Sequence, residues 1–181
     1  MSRSFYESTE IHIRAGDARL VDPLVINFAG KAAELADATF TFDLEGDGQE
    51  EELHTLAAGS AFLALDRNGD GVINGGKELF GPQSGHGFSE LAAYDEDKNG
   101  WIDENDAVFK ELVAWIKDQD GNDKLAPVMD LGIGALYLAG LEGEFSLTDA
   151  NNEMMGQIRE TSVFVKEDGG VGTIQELDLV V

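Results

Sequence analysis

Residues 95–106, DEDKNGWIDEND, put oxygen-bearing side chains at alternate positions and then a glycine. Asp95, Asp97 and Asn99 stand at positions 1, 3 and 5, the carbonyl of Trp101 at 7, and Asp106 at 12. A hard divalent cation takes roughly six to eight oxygen ligands, and this spacing offers them from one short loop. Gly100 at position 6 lets the chain turn with positive φ. Asp103, at position 9, would ligate through water and cap the helix expected after it. A plain acidic turn requires neither the alternation nor the glycine, so the stretch reads as a metal loop.

Loops of this spacing are of the EF-hand type, and three more acidic loops begin at Asp43, Asp66 and Asp118. DRNGDGVINGGKE supplies Asp66, Asn68, Asp70, the carbonyl of Val72, and Asn74. Lys77 occupies its position 12, so Glu78 must close it, with Gly75 and Gly76 absorbing the extra residue. Ile73 and Ile102 share position 8, which predicts that the two loops pair through a short two-stranded contact. The loop at Asp43 offers Asp43, Glu45, Asp47 and Glu51 but has His54 at position 12. It is either a metal-tied hairpin or a tight acidic turn. The last offers Asp118, Asp120 and Asn122, but Asp123 replaces the glycine, so a turn is the better reading. Two Ca2+ ions are expected, with up to four sites in all. Asp106 reaches less far than the usual closing Glu, which predicts weaker calcium binding and tolerance of Mg2+ at 95–106.

Around the loops, EIHIRA (10–15), PLVINF (23–28), TFTFD (39–43), ELHTL (52–56) and FLALD (62–66) read as strands. FSELAAY (88–94) and DENDAVFKELVAWI (103–116) carry apolar residues at helical spacing. IGALYLA (133–139) returns to strand character, and TSVFVK with TIQELDLVV forms a closing hairpin. The fold expected is α+β. N- and C-terminal β-strands surround a paired EF-hand-like helix-loop-helix insert at 62–116, in one domain with residues 1–8 frayed.

The charge balance, 36 acidic against 12 basic residues, gives a net charge of −24. Such a surface repels nucleic acid and anionic membranes, and bound cations would relieve its self-repulsion. No apolar run approaches the ~18 residues of a membrane span. With no cysteine, disulfides and thiolate zinc sites are excluded. The expected partners therefore include no nucleic acid and no membrane insertion, leaving a protein partner. The start, MSRSFYESTE, lacks a signal-peptide core. Export or surface display without a cleaved signal is the expected location, with the cytoplasm as the alternative.

His12, His54 and His86 lack ligand spacing, and no nucleophile elbow or phosphate loop is present. One bond is chemically unusual: Asp22-Pro23. Proline has no N–H, so succinimide formation is closed there. The Asp22 carboxylate can instead attack its own carbonyl.

Taken together, DPLVINF, FLALDRNGDGVINGGKELFG and ELAAYDEDKNGWIDENDAVFKELVAW resemble the calcium-dependent self-processing modules of bacterial repeat-in-toxin proteins, and a set of bacterial EF-hand proteins related to them. The resemblance runs from about Asp22 to about Gly140 and is most specific between Phe62 and Trp115. It implies calcium-dependent folding, with Asp95, Asp106 and Asp118 matching required ligands. It also implies cleavage of an Asp-Pro bond and transfer of the new aspartyl end to a lysine amine. Asn27, Ala29 and Ala32 stand where those modules carry acids, and Asp106 where they carry Glu. A calcium-binding module is thus the first expectation, self-cleavage at Asp22-Pro23 the second, and a plain interaction domain the third.

Overall fold

The computed structural model describes residues 19–29, 32–117 and 122–181. The expected strand at 10–15 and the expected fraying at 1–8 lie outside them. Continuous apolar runs fix the centre of the fold. β1 (Leu20–Val21) and β2 (Leu24–Asn27) are followed by the hairpin β3 (Leu35–Phe42) and β4 (Glu51–Leu56), and then by β5 (Ser60–Leu65). Every residue of β2 and β5 is buried, as in a strand covered on both faces. Next come α1 (Gly87–Ala92), β6 (Trp101–Ile102), β7 (Leu112–Lys117), β8 (Asp123–Pro127) and β9 (Ile133–Tyr137). β10 (Leu141–Thr148), β11 (Met154–Lys166) and β12 (Val171–Val180) complete the chain.

Among the described residues ten strands form one sheet, in the order β6-β9-β11-β12-β2-β5-β7-β8. β1 adds to β12 and β10 to β11, while β3 and β4 pair separately. Alternate residues of one strand enter opposite cores. Leu24, Ile26, Leu63 and Leu112 pack with Phe80, Leu91 and Phe109. Val25, Phe62 and Trp115 pack instead under the β3–β4 hairpin, with Phe40, Phe42 and Leu53.

This architecture overturns the α+β expectation. The fold is mostly β, and no paired helix-loop-helix insert exists at 62–116. Residues 103–116 are not a helix: Ala107–Lys110 form a 3-10 turn and β7 follows. Val108, Phe109, Leu112, Val113 and Ile116 do satisfy helical spacing, but short apolar runs rich in β-branched and aromatic residues satisfy a strand equally well. Pairing decides it. β7 runs beside β5 with Trp115 opposite Phe62, and the indole is ringed by Phe40, Phe42 and Phe62. The expected helix at 88–94 survives only as the six residues of α1.

The two loops do not pair either. Ile102 lies in β6 and stands opposite Leu136 of β9. Ile73 packs into the hairpin-side core with Leu79 and Trp115. Each position 8 found a partner elsewhere in the β framework.

Candidate metal loops and the Asp22-Pro23 bond

In the loop at 95–106 the local sequence folds onto its own carboxylates. Asp95 accepts N–H bonds from Asn99 (3.2 Å) and Gly100 (2.9 Å), while Asn99 Oδ1 accepts from Trp101 (2.7 Å). Lys98 and Gly100 take positive φ of 59° and 82°, and these turn the chain around the centre. Asp97 Oδ1 accepts the Asn99 N–H at 3.1 Å. Asp106 is fully buried, with Oδ1 accepting from Glu96 (2.7 Å) and Oδ2 from Asp103 (3.0 Å). Asp103 itself bonds Asn105 (2.9 Å) and Asn99 Nδ2 (3.3 Å), but it caps no helix: a 3-10 turn, Ala107–Lys110, follows, and Asp106 stands at its N-terminus. Trp101 stacks on Tyr137 at 4.6 Å.

Asp95, Asp97 and Asp106 bring carboxylate oxygens within 4.8 Å of one another. Among the described residues no other three acidic or histidine side chains do so. Three carboxylates this close repel one another unless a cation or protons lie among them. The donors are all oxygen, and one is wholly withdrawn from water, which fits a hard divalent ion.

The loop at 66–78 repeats this geometry with different residues. Asp66 accepts from Gly69 (2.8 Å) and Gly71 (2.8 Å), Asn68 from Asp70 (2.9 Å), and Asp70 from Val72 (2.9 Å). Asn68 Nδ2 bonds Asn74 Oδ1 at 2.7 Å. Glu78, buried in the 3-10 turn Gly76–Glu78, accepts from Arg67 (3.2 Å) and Asn74 (2.7 Å). Gly75 is extended at φ −177°, a conformation open to any residue, so the shift to Glu78 does not draw on special freedom there. Gly76 is needed for space: a Cβ there would stand 1.6 Å from the carbonyl of Leu44.

That contact joins this loop to the β3–β4 turn. There Asp43 accepts from Asp47 (3.0 Å) and Gly48 (3.0 Å), and Glu51 accepts from Leu44 (2.9 Å). The Gln49 N–H holds the Asp47 carboxyl below its usual range. Glu45 pairs with Arg19 instead, and Lys77 donates to Gly46 O at 2.7 Å. Asp118 and Asp120 lie outside the described residues. Asn122 precedes β8 and Asp123 begins it, where its carboxylate accepts from the Trp115 indole at 2.9 Å.

Asp22 precedes β2 and is buried, and its carboxylate accepts from Arg159 Nη2. Arg159 also faces Glu176 at 3.6 Å and Asp178 at 3.5 Å, both buried on β12. Burial pushes Asp22 up to about 6 even though Arg159 pulls it down, with Asp178 adding to the rise. Burial likewise raises Glu176 and Asp178. Among the described residues the Asp178 Oδ1 and Arg159 Nε atoms find no hydrogen-bond partner. Among the described residues one guanidinium serves three buried carboxyl groups, which leaves more acid than base in this part of the cluster. The scissile candidate is gripped through its backbone as well. Leu24 N–H donates to Phe80 O (2.9 Å), and Leu177 N–H to Pro23 O (3.1 Å). Sequence reasoning missed Arg159, Glu176 and Asp178. Their one signal was a run of acids alternating with apolar residues in a strand that reads as buried.

The fold and these sites define a β-rich module built around acidic loops and a buried carboxylate cluster. Residues 24–180 match the SPM domain, and the chain belongs to that family. The chain is similar to the iron-regulated protein FrpA of Neisseria meningitidis serogroup C, at 28% identity over 180 residues. The match covers 91% of this chain and 16% of that protein, so the chain spans about a sixth of its relative. Both findings fit the relation to repeat-in-toxin proteins of bacteria that the sequence implied. The family match also extends past Gly140 to take in β11 and β12, the strands that carry Arg159, Glu176 and Asp178.

Proposed function

We propose that the chain is a calcium-binding module with ions at 95–106 and 66–78. The observation that carries this is the group Asp95, Asp97 and Asp106, with Asp106 fully buried. In the first loop the ligands are Asp95, Asp97, Asn99, the Trp101 carbonyl and Asp106, with Asp103 through water. In the second they are Asp66, Asn68, Asp70, the Val72 carbonyl, Asn74 and Glu78. A bound ion supplies positive charge that offsets the repulsion among these carboxylates. The 95–106 loop also admits Mg2+. Native mass spectrometry in millimolar calcium tests the reading: two ions bound support it, and none sinks it.

A second reading has its own observation, the burial of Asp22 against Arg159 beside the packed Asp22 carbonyl. An Asp22 carboxylate oxygen attacks its own carbonyl carbon and the bond to Pro23 nitrogen breaks. The proline nitrogen takes a proton and becomes a free amine, leaving a cyclic anhydride on Asp22. Water opens that ring to give a C-terminal aspartate; a lysine amine opens it to give an amide. Family membership supports this reading, in a protein displayed or released outside the cell.

A further inference from the structure

The segment from Leu79 to Tyr94 begins directly after Glu78, which closes one acidic loop, and ends directly before Asp95, which opens the other. Between those ends it meets the surroundings of the Asp22-Pro23 bond four times. Phe80 O accepts the Leu24 N–H at 2.9 Å. Gly81, at φ 117°, lies so close that a Cβ would stand 1.7 Å from the Asp22 carbonyl oxygen. Gly85 O accepts at 2.9 Å from the same Arg159 nitrogen that donates to Asp22. Gly87 N–H donates to Glu176. The segment is braced internally by Glu90, which accepts from Gly81 N–H (3.0 Å) and Ser84 Oγ (2.6 Å).

We propose that Leu79–Tyr94 is a strap that couples the state of both acidic loops to the placement of the Asp22 carbonyl, with Gly81 as its positioning residue. The inference rests on the reading of the loops as calcium sites and of Asp22-Pro23 as the cleaved bond. Its physical basis is end-anchoring. A connector tied at both ends opens far less readily than one whose ends are loose, so closing the two loops removes the strap's local opening. Only a glycine allows the strap's backbone to touch a carbonyl oxygen at that φ. Because the contact is mutual, whatever moves the loops moves the carbonyl, and the reverse.

Hydrogen exchange of the full chain, with and without calcium, tests the strap after the bound ions have been counted. In calcium the Leu24 and Gly81 amides should gain at least about tenfold more protection than amides in β11 and β12 between Ser162 and Gln175. Glu78→Gln, which unties one end, should abolish that extra gain while the loop at 95–106 keeps its ion. Gly81→Ala should keep the ion count and lose both the protection and at least about nine-tenths of the cleavage rate. The strap is overturned if Leu24 and Gly81 gain no more than β11 and β12. It is also overturned if Glu78→Gln keeps the gain, or if Gly81→Ala cleaves at the native rate. Should Gly81→Ala not fold, the Glu78→Gln arm decides. A native chain that takes up no calcium overturns strap and calcium reading together, and the ion count separates that case from failure of the strap alone.

Discussion

Glu78 and Asp106 close loops of different length, yet each accepts the N–H of the loop's second residue and of its ninth. The longer side chain stands one position later, so the carboxyl group returns to the same place. Either carboxylate therefore holds its loop shut at two N–H groups, and under the proposed calcium reading it would serve a second time, as a ligand.

This dual service predicts a specific result for Asp106→Asn. The amide offers one acceptor where the carboxylate offered two, leaving a backbone N–H unpaired at a fully buried site. The variant should bind one ion fewer and lose about 1–3 kcal/mol even in chelator. Urea melts in chelator check the second part. An unchanged midpoint would mean that Asp106 does not hold the loop by itself.

Chelation should lower the melting temperature of the native chain. Each site occupied at about a hundred times its Kd contributes about 2.7 kcal/mol. The Trp101 indole, stacked on Tyr137 and set within the first loop, should change its emission over the same calcium range. A melt and an emission that both ignore calcium would remove the sites.

Asp22 gives a pH dependence whose sign is fixed. Its folded value, about 6, lies above the ordinary 3.8, so the folded chain holds a proton that the unfolded chain releases. The stabilising contribution is complete below about pH 4 and is lost as pH rises through about 6, amounting to about 1–3 kcal/mol. Arg159 opposes the rise, while Asp178 reinforces it. Asp22→Asn should flatten this component, read as the native-minus-variant stability in chelator between about pH 4 and pH 7. A constant difference across that window would show Asp22 to be ionised at its ordinary value.

Gly76→Ala tests how tightly the second loop is bound to the hairpin turn. A methyl group cannot fit 1.6 Å from the Leu44 carbonyl, so the two loops must part. A loss of about 2–4 kcal/mol is expected, together with weaker calcium uptake at 66–78. Near-native stability would mean that the contact is incidental.

Cleavage itself is read by intact mass after hours in millimolar calcium. The native chain should split between Asp22 and Pro23, and Asp22→Ala should stay whole with its ion count unchanged. Cleavage of Asp22→Ala at the same bond would exclude the carboxylate as nucleophile.

The self-wrapped turns at 66–78 and 95–106 were legible because a loop that folds onto its own carboxylates is coded locally, residue against next-but-one residue. β2, β5 and the β11–β12 hairpin were legible for a similar reason, as runs whose composition suits a buried sheet. β7 was not. Its spacing suits a helix, and what made it a strand was the vacant side of β5 and a pocket for Trp115. The pairing of the loops failed likewise, since Ile102 found Leu136 and Ile73 found the hairpin core. Arg159 meets Asp22 across 137 positions of sequence, and nothing near either residue announces the other.

β12 runs between β11 and β2 at the middle of the sheet and carries both Glu176 and Asp178. A chain made from its N-terminus therefore exposes Asp22 and Pro23 long before the strand that encloses them exists. Until residue 178 is in place, the bond is an ordinary peptide link in open water, whatever ions surround it. The order of synthesis is thus a timer: the enclosure around Asp22 exists only in a finished molecule.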